Sequence, residues 1–201
     1  IFVGAMVTIG QVVTSSMAAY AFARLEFPGR DKLFFAYLAT MMIPGAVTMI
    51  PQFILVRKLN WVDTYWALIL PGLFSAFGTF MLRQFFMTLP RDLEEAAKID
   101  GCSLFGIYWK IIMPLSMPAL ATLTTMTFMG SWNNFMWPLI VTNSLEMKTL
   151  PIGFQAVQGQ FSVEWTLLMA ASLFTLLPVI VVFLAGQRYF VEGIQMGAIK
   201  G

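Results

Sequence analysis

The sequence predicts an all-α integral membrane protein with about five crossings, and three observations predict it. Hydrophobic residues make up 59% of the 201 and charged residues only 11%, with a mean hydropathy of +0.78, whereas a soluble domain has about a quarter of its residues charged. Five apolar stretches, at about 1–23, 33–56, 64–84, 115–141 and 166–187, reach the ~20 residues a helix needs to cross the hydrocarbon core. The charges collect between these stretches, above all in residues 89–114.

The first stretch is rich in small residues, Gly4, Gly10, Ser15, Ser16, Ala18, Ala19 and Ala21, which let neighbouring helices approach closely. It has no basic leader or cleavage signal, which argues against a signal peptide. Residue 1 is Ile rather than Met, so the chain is expected to begin inside a longer protein. The connector RLEFPGRDK, 24–32, combines a Pro-Gly turn with three basic residues. The second stretch contains Pro44-Gly45 and Pro51, and the third Pro71-Gly72. Each proline removes a backbone donor, so these helices should kink or break where protein or a water-filled path satisfies the freed carbonyls. The fourth carries Pro118 near its start and Trp132, Asn133, Asn134 and Trp137 near its end, and 142–165 reads as a polar loop without regularity. No repeat or second domain is visible, so residues 1–201 read as one membrane domain.

The longest charged interruption, LPRDLEEAAKIDGCSLFGIYWKIIMP, holds Arg91, Asp92, Glu94, Glu95, Lys98, Asp100 and Lys110. At roughly 2.5–3.5 kcal/mol each, burying seven charges at the bilayer centre would cost on the order of 20 kcal/mol, so the segment stays outside lipid. Pro90 ends what precedes it. Asp92 is placed to cap a short helix over about 93–99, with Glu95 at the capping-box position. Gly101 suits the left-handed residue that closes that helix, Ser103 can cap a second, and Pro114 limits it. The expectation is a helix-turn-helix knob on the membrane surface.

Alternating connectors put Arg24, Arg30, Lys32, Arg83, Arg91, Lys98, Lys110, Arg188 and Lys200 on one side and Arg57, Lys58 and Lys148 on the other. Nine against three makes the knob side, and the C-terminus, cytoplasmic. Several functions are disfavoured. A net charge of +2 without a basic face gives no footprint for nucleic acid. With no His and one Cys, Cys102, the zinc and haem ligand sets are unfilled, so neither metal nor cofactor is expected. No phosphate-binding G-x-x-x-x-G-K-[ST] loop is present. A self-contained secondary carrier or channel would keep ionisable residues in its spans, which here are nearly free of them. A membrane enzyme would need a nucleophile with a base or a metal, and no such set stands out.

The string Glu95-Ala96-Ala97, three residues, Gly101, nine residues, Ile111, one residue, Met113-Pro114 resembles the EAA loop of permease subunits in binding-protein-dependent ABC importers. The family usually has Leu where Met113 stands, a volume-conserving change. LEEAAKIDG, WNNFMWPLI at 132–140, TLPIG at 149–153 and the terminal QRYFVEGIQMGAIKG are similar to the carbohydrate-importer branch that includes the maltose permease subunits. The resemblance covers nearly the whole chain. It implies the transmembrane domain of a type I ABC importer, which usually has six spans; one further span would precede the five seen here.

The resemblance further implies a non-catalytic subunit in a prokaryotic inner membrane. Its partners would be a second permease in a heterodimer, two ATP-binding-cassette ATPase subunits and an extracytoplasmic solute-binding protein. The solute would be a sugar or a related molecule, with an amino acid as the alternative. The EAA loop, 89–114, would dock in the ATPase. Carried over, Ala96 and Ala97 would give a small contact face, Glu94 and Glu95 charge, Gly101 and Asp100 the turn, and Pro114 the loop's end. Trp132, Asn133, Asn134 and Trp137 offer the aromatic faces and amides that sugar recognition uses, although Trp at a span end also anchors helices and Asn bonds to neighbours. Lys148, Gln155, Gln158 and Gln160 would face the binding protein or simply solvent.

Overall fold

A computed structural model describes residues 1–157 and 165–198, and all the regular structure among them is helical. The apolar stretches become helices, and two of the breaks within them fall at prolines, Pro44 and Pro71. α1 (Phe2–Arg24) has no proline and runs unbroken for 23 residues. α2 (Arg30–Ala39) and α3 (Gly45–Lys58) belong to one apolar stretch but meet at 98°. Pro44, extended at ψ 134°, precedes α3 at the break, while Pro51 is carried inside α3. α4 (Tyr65–Ile69) passes through a 3-10 turn at Leu70–Gly72, the site of Pro71, before α5 (Ala76–Thr88). Ser75 caps α5 by accepting the Gly78 N–H at 3.0 Å.

The knob region contains α6 (Asp92–Ile99), α7 (Leu104–Ile107), a π-helical turn at Tyr108–Ile112 and α8 (Met113–Leu115). The run Leu104–Leu115 meets α9 (Met117–Trp132) at 80°. After a break at 133–135 come α10 (Met136–Val141), α11 (Leu150–Val157) and α12 (Trp165–Ala198). Among the described residues, three helical runs, Phe2–Arg24, Tyr65–Thr88 and Met169–Gln187, are long and apolar enough to cross a membrane, or up to five if each bent pair is one span. The stretch 142–165 is more regular than expected. A 3-10 turn occupies Leu145–Met147, and α11 carries Pro151 in its first turn, where the backbone N–H groups have no partner within the helix. Gln158 and Gln160 lie outside the described residues.

The chain divides into two compact units, each assembled from three separate stretches. One consists of Ile1–Gly10, Ile43–Leu73 and Thr125–Ala185, with a core of Val56, Ala67, Leu68 and Val141. Here Trp61 and Trp137 pack on the core, and Phe128 stacks on Trp132 with ring centroids 5.9 Å apart. None of the apolar window Met169–Gln187 of α12 is buried within the chain, a surface that suits lipid or a partner and would be a liability in water.

The other consists of Gln11–Met42, Phe74–Thr124 and Gly186–Gly201. Its core joins Ala19, Tyr20 and Ala23 of α1 to Leu82 and Phe86 of α5, Ala97 of α6, and Ile107, Tyr108 and Ile112 of the knob. The small residues of α1 do what their size allows. Ser15, Ser16 and Ala19 are fully buried, and a Cβ at Gly78 would stand 2.7 Å from Ser15 Oγ.

Candidate functional site

The knob is built on one turn. Gly101 has φ +77°, the left-handed region, and nothing lies within 4 Å of where a Cβ would be. Its N–H bonds to Lys98 O at 3.0 Å and the Cys102 N–H to Ala97 O at 2.9 Å. These are the two bonds of a Schellman motif, in which a left-handed residue just past the helix lets the chain reverse onto its last carbonyls. Asp100 is exposed, and main-chain bonds close the turn around it. Ser103 then caps α7, its Oγ accepting the Gly106 N–H at 3.1 Å.

Other parts of the knob differ from expectation. α6 starts one residue early, with Arg91 before its first turn and no side-chain cap. Asp92 is therefore inside the helix, and the capping-box position falls to Glu94 rather than Glu95. Asp92, Glu94 and Glu95 still crowd the first turn, where carboxylates complement the positive end of the helix dipole. Pro114 is not the end of the second helix. The turn before it loosens into π-helix, with the Met113 N–H bonding to Tyr108 O five residues back, and the sharp bend comes at Ser116. The proline's missing donor favours the looser pattern ahead of it.

α6 has two faces. Glu94 and Ala97, three apart, turn inward and are 6% and 7% exposed; Glu95, Ala96 and Ile99 turn outward, Ile99 being 87% exposed. Ala96 and Ala97 thus do not form one contact face, because 100° per residue separates neighbours. Glu94 is equally unavailable to an outside partner. Its Oε1 lies 3.0 Å from Arg24 Nε, with side-chain exposures of 7% and 3%, in a charge contact rather than an aligned hydrogen bond. Arg24 Nη2 also donates to Leu89 O at 2.7 Å and to Phe86 O, carbonyls at the end of α5. Arg83 Nε donates to Phe22 O at 3.2 Å, and its guanidinium lies 4.1 Å from the Phe34 ring centroid.

By charge and position alone Arg24 is a connector residue. The signal for its role was present: Ser16, Tyr20 and Arg24 recur every fourth residue through an apolar helix.

In the other unit, two tryptophans act as helix braces. Trp137 Nε1 donates to Ala67 O at 2.9 Å. That is the carbonyl four residues before Pro71, which a proline cannot bond. Trp132 is 9% exposed, and its Nε1 donates to Thr175 O at 3.0 Å, in the turn that Pro178 interrupts. Asn133 and Asn134 sit in the break between α9 and α10 and are both exposed; Asn133 Nδ2 donates to Met129 O at 2.9 Å. Near the chain's other connector, Asp63, at φ +61°, accepts the Asn143 and Ser144 N–H groups at 2.8 and 3.0 Å and the Ser144 hydroxyl at 3.1 Å. The Asn143 amide first, then that of Ser144, holds its carboxyl below the ordinary carboxylate range.

Apolar spans, broken helices and one charged knob define a multi-pass membrane protein. The chain belongs to the family of binding-protein-dependent transport system inner membrane components, whose pattern matches residues 11–195. It is 41% identical over 198 residues to the arabinooligosaccharides transport system permease protein AraQ of Bacillus subtilis, covering 98% of this chain and 70% of that one. It is 39% identical over 190 residues to the sn-glycerol-3-phosphate transport system permease protein UgpE of Yersinia pestis, covering 94% and 68%. Among solved structures it is similar to a bacterial ABC transporter involved in the import of the acidic polysaccharide alginate, with a TM-score of 0.82, 26% identity and coverage of 94% and 72%. The MetNI methionine ABC transporter shares the fold, with a TM-score of 0.66 at 19% identity and coverage of 92% and 90%. The fold is that of an ABC importer's transmembrane domain, and the chain is a permease component of such an importer.

Proposed function

We propose that this permease carries a sugar or sugar-like solute, delivered by an external binding protein, through a path formed with a second, different permease chain. Energy comes from two ATPase subunits docked on the knob, 89–114. The nine-to-three distribution of basic residues supports a cytoplasmic knob and C-terminus. The arabinooligosaccharide, glycerol-phosphate and alginate importers among its relatives support the solute class.

The observation that carries the docking reading is the two-sided α6. Its inner face, Glu94 and Ala97, is used up within the chain. Its outer face offers Glu95, Ala96 and an almost fully exposed Ile99 beside a turn fixed by Gly101. A short helix with one face anchored and an apolar tip left open suits a partner's cleft. For the solute path we favour the exposed Asn133 and Asn134 amides, Asn133 keeping its carbonyl and a second N–H beyond the bond to Met129 O, over Trp132 and Trp137, whose single indole N–H groups are bonded. A broken helix within a span is where irregular backbone can line a cavity.

The test is ATP-driven uptake into vesicles holding this chain with its neighbouring subunits, scanning labelled oligosaccharides, glycerol phosphate and amino acids. Crosslinking from Ala96→Cys to the ATPase runs in parallel, with the native chain, carrying only Cys102, as control. Sugar uptake that needs ATPase and binding protein, with a crosslink at 96, supports the reading. Uptake that persists without the ATPase would sink it and leave a self-contained carrier.

A further inference from the structure

Every polar end that α1 presents at positions 16, 20 and 24 is bonded to the knob or to the helix end leading into it. Ser16 Oγ donates to Val13 O within its own helix, and so accepts from the Tyr108 hydroxyl 2.8 Å away. Tyr20 Oη donates to Leu104 O at 3.2 Å, and the Tyr20 and Tyr108 rings lie 5.4 Å apart. Arg24 meets Glu94, Leu89 O and Phe86 O. Positions four apart share a helix face, so one stripe of α1 reaches three levels: the π-helical turn, the start of α7, and α6.

The stripe is shielded from water. Ser16, Tyr20 and Tyr108 are 0%, 6% and 4% exposed, and the Arg24 and Glu94 side chains hardly more. A surface ion pair exchanges its partner for water at little cost, but a buried one cannot. If α6 and α7 are displaced as a body, α1 must follow or a buried guanidinium and carboxylate must part. The helices that adjoin the knob in sequence have softer links. On one side stand Leu89 and Pro90; on the other, a π-helical turn and an 80° bend.

We propose that displacement of the knob is carried into the membrane-spanning part chiefly through α1, with Arg24 as the positioning residue that holds α6 to it and Ser16 and Tyr20 holding α7 and the π-helical turn. This rests on the knob being the ATPase docking site.

The experiment uses the full complex of both permeases, the ATPase and the binding protein in lipid vesicles, and reads solute moved per ATP hydrolysed. Arg24→Gln removes the charge and leaves Glu94 uncompensated, whereas Arg24→Lys keeps it. Tyr20→Phe with Tyr108→Phe removes two hydroxyls and little else. The expected result is a fall of about tenfold in solute per ATP for Arg24→Gln, within the range that mutations along coupling networks produce. The Arg24→Lys complex recovers most of it, the Tyr pair falls about threefold, and all variants still purify with the ATPase. A native ratio in Arg24→Gln overturns the proposal; if that complex is not recovered, a native ratio in the Tyr pair overturns it instead. A native complex that retains no ATPase overturns the docking reading along with the proposal, so the two failures are distinguished.

Discussion

Substituting Gly101 tests whether the knob's shape, rather than its charges, is what a partner needs. The residue sits at φ +77° with open space around it, so an added side chain meets no atom and the cost is purely conformational. An L-residue held in the left-handed region costs roughly 1–2 kcal/mol, and Asn least, because its side chain tolerates that region. Gly101→Asn should therefore transport almost normally and Gly101→Ala should retain a reduced rate. Gly101→Pro cannot reach φ +77° and also loses the N–H bond to Lys98 O, worth about 1 kcal/mol more. It should abolish uptake while the chain still inserts in the membrane and resists alkaline extraction. The assay is ATP-driven uptake normalised to inserted protein. The order Asn, Ala, Pro follows the backbone alone. Equal uptake in all three would refute the argument that a fixed left-handed turn is required.

Trp137→Phe should lower thermal stability in detergent by about 1–3 kcal/mol, the cost of an unpaired buried carbonyl at Ala67, without changing the uptake KM; a raised KM with unchanged stability would make Trp137 a solute contact instead. Asn133→Ala and Asn134→Ala should do the reverse, altering uptake while leaving thermal stability within about 0.5 kcal/mol. Ala97→Leu should destabilise the chain through overpacking, by about 1–3 kcal/mol, whereas Ala96→Leu should spare stability and weaken ATPase retention on purification. For Asp63, the folded state holds the carboxyl below its ordinary value, so its tie to Asn143 and Ser144 is complete above that value and is lost as pH falls through the lower, folded one. Protection of those two amides against hydrogen exchange, taken relative to the intrinsic rate at each pH, should be high at neutral pH and lost only in acid, and Asp63→Ala should remove it at neutral pH.

What the sequence disclosed followed from local rules. Gly101 and Ser103 could be read because a left-handed closure and a hydroxyl cap each need one residue type at one place. Pro44 could be read as a break because a proline acts on its own helix. What it did not disclose depends on which face of a helix meets which neighbour. Glu94 and Glu95 are equivalent as letters, and so are Ala96 and Ala97; only the packing of α6 against α1 separates the inward pair from the outward one. The shift of the N-cap from Asp92 to Arg91 is of the same kind, since Glu94 finds a guanidinium rather than a backbone amide. Trp137 was legible as amphipathic, but its partner is a carbonyl 70 positions away along the chain. Local propensity carries no information about that distance.

The bond from Trp137 to Ala67 O also constrains the order in which this protein could change over generations. A carbonyl oxygen has two lone pairs, so Pro71→Ala would add a backbone donor while the indole stayed in place, and Trp137 could afterwards be lost at little cost. Losing Trp137 first leaves a bare carbonyl in an apolar setting until the proline is replaced. The same two substitutions thus have one open route and one that passes through an impaired ancestor. Among descendants, proline at 71 without a donor at 137 should be the rare combination, and alanine at 71 should be found with almost anything.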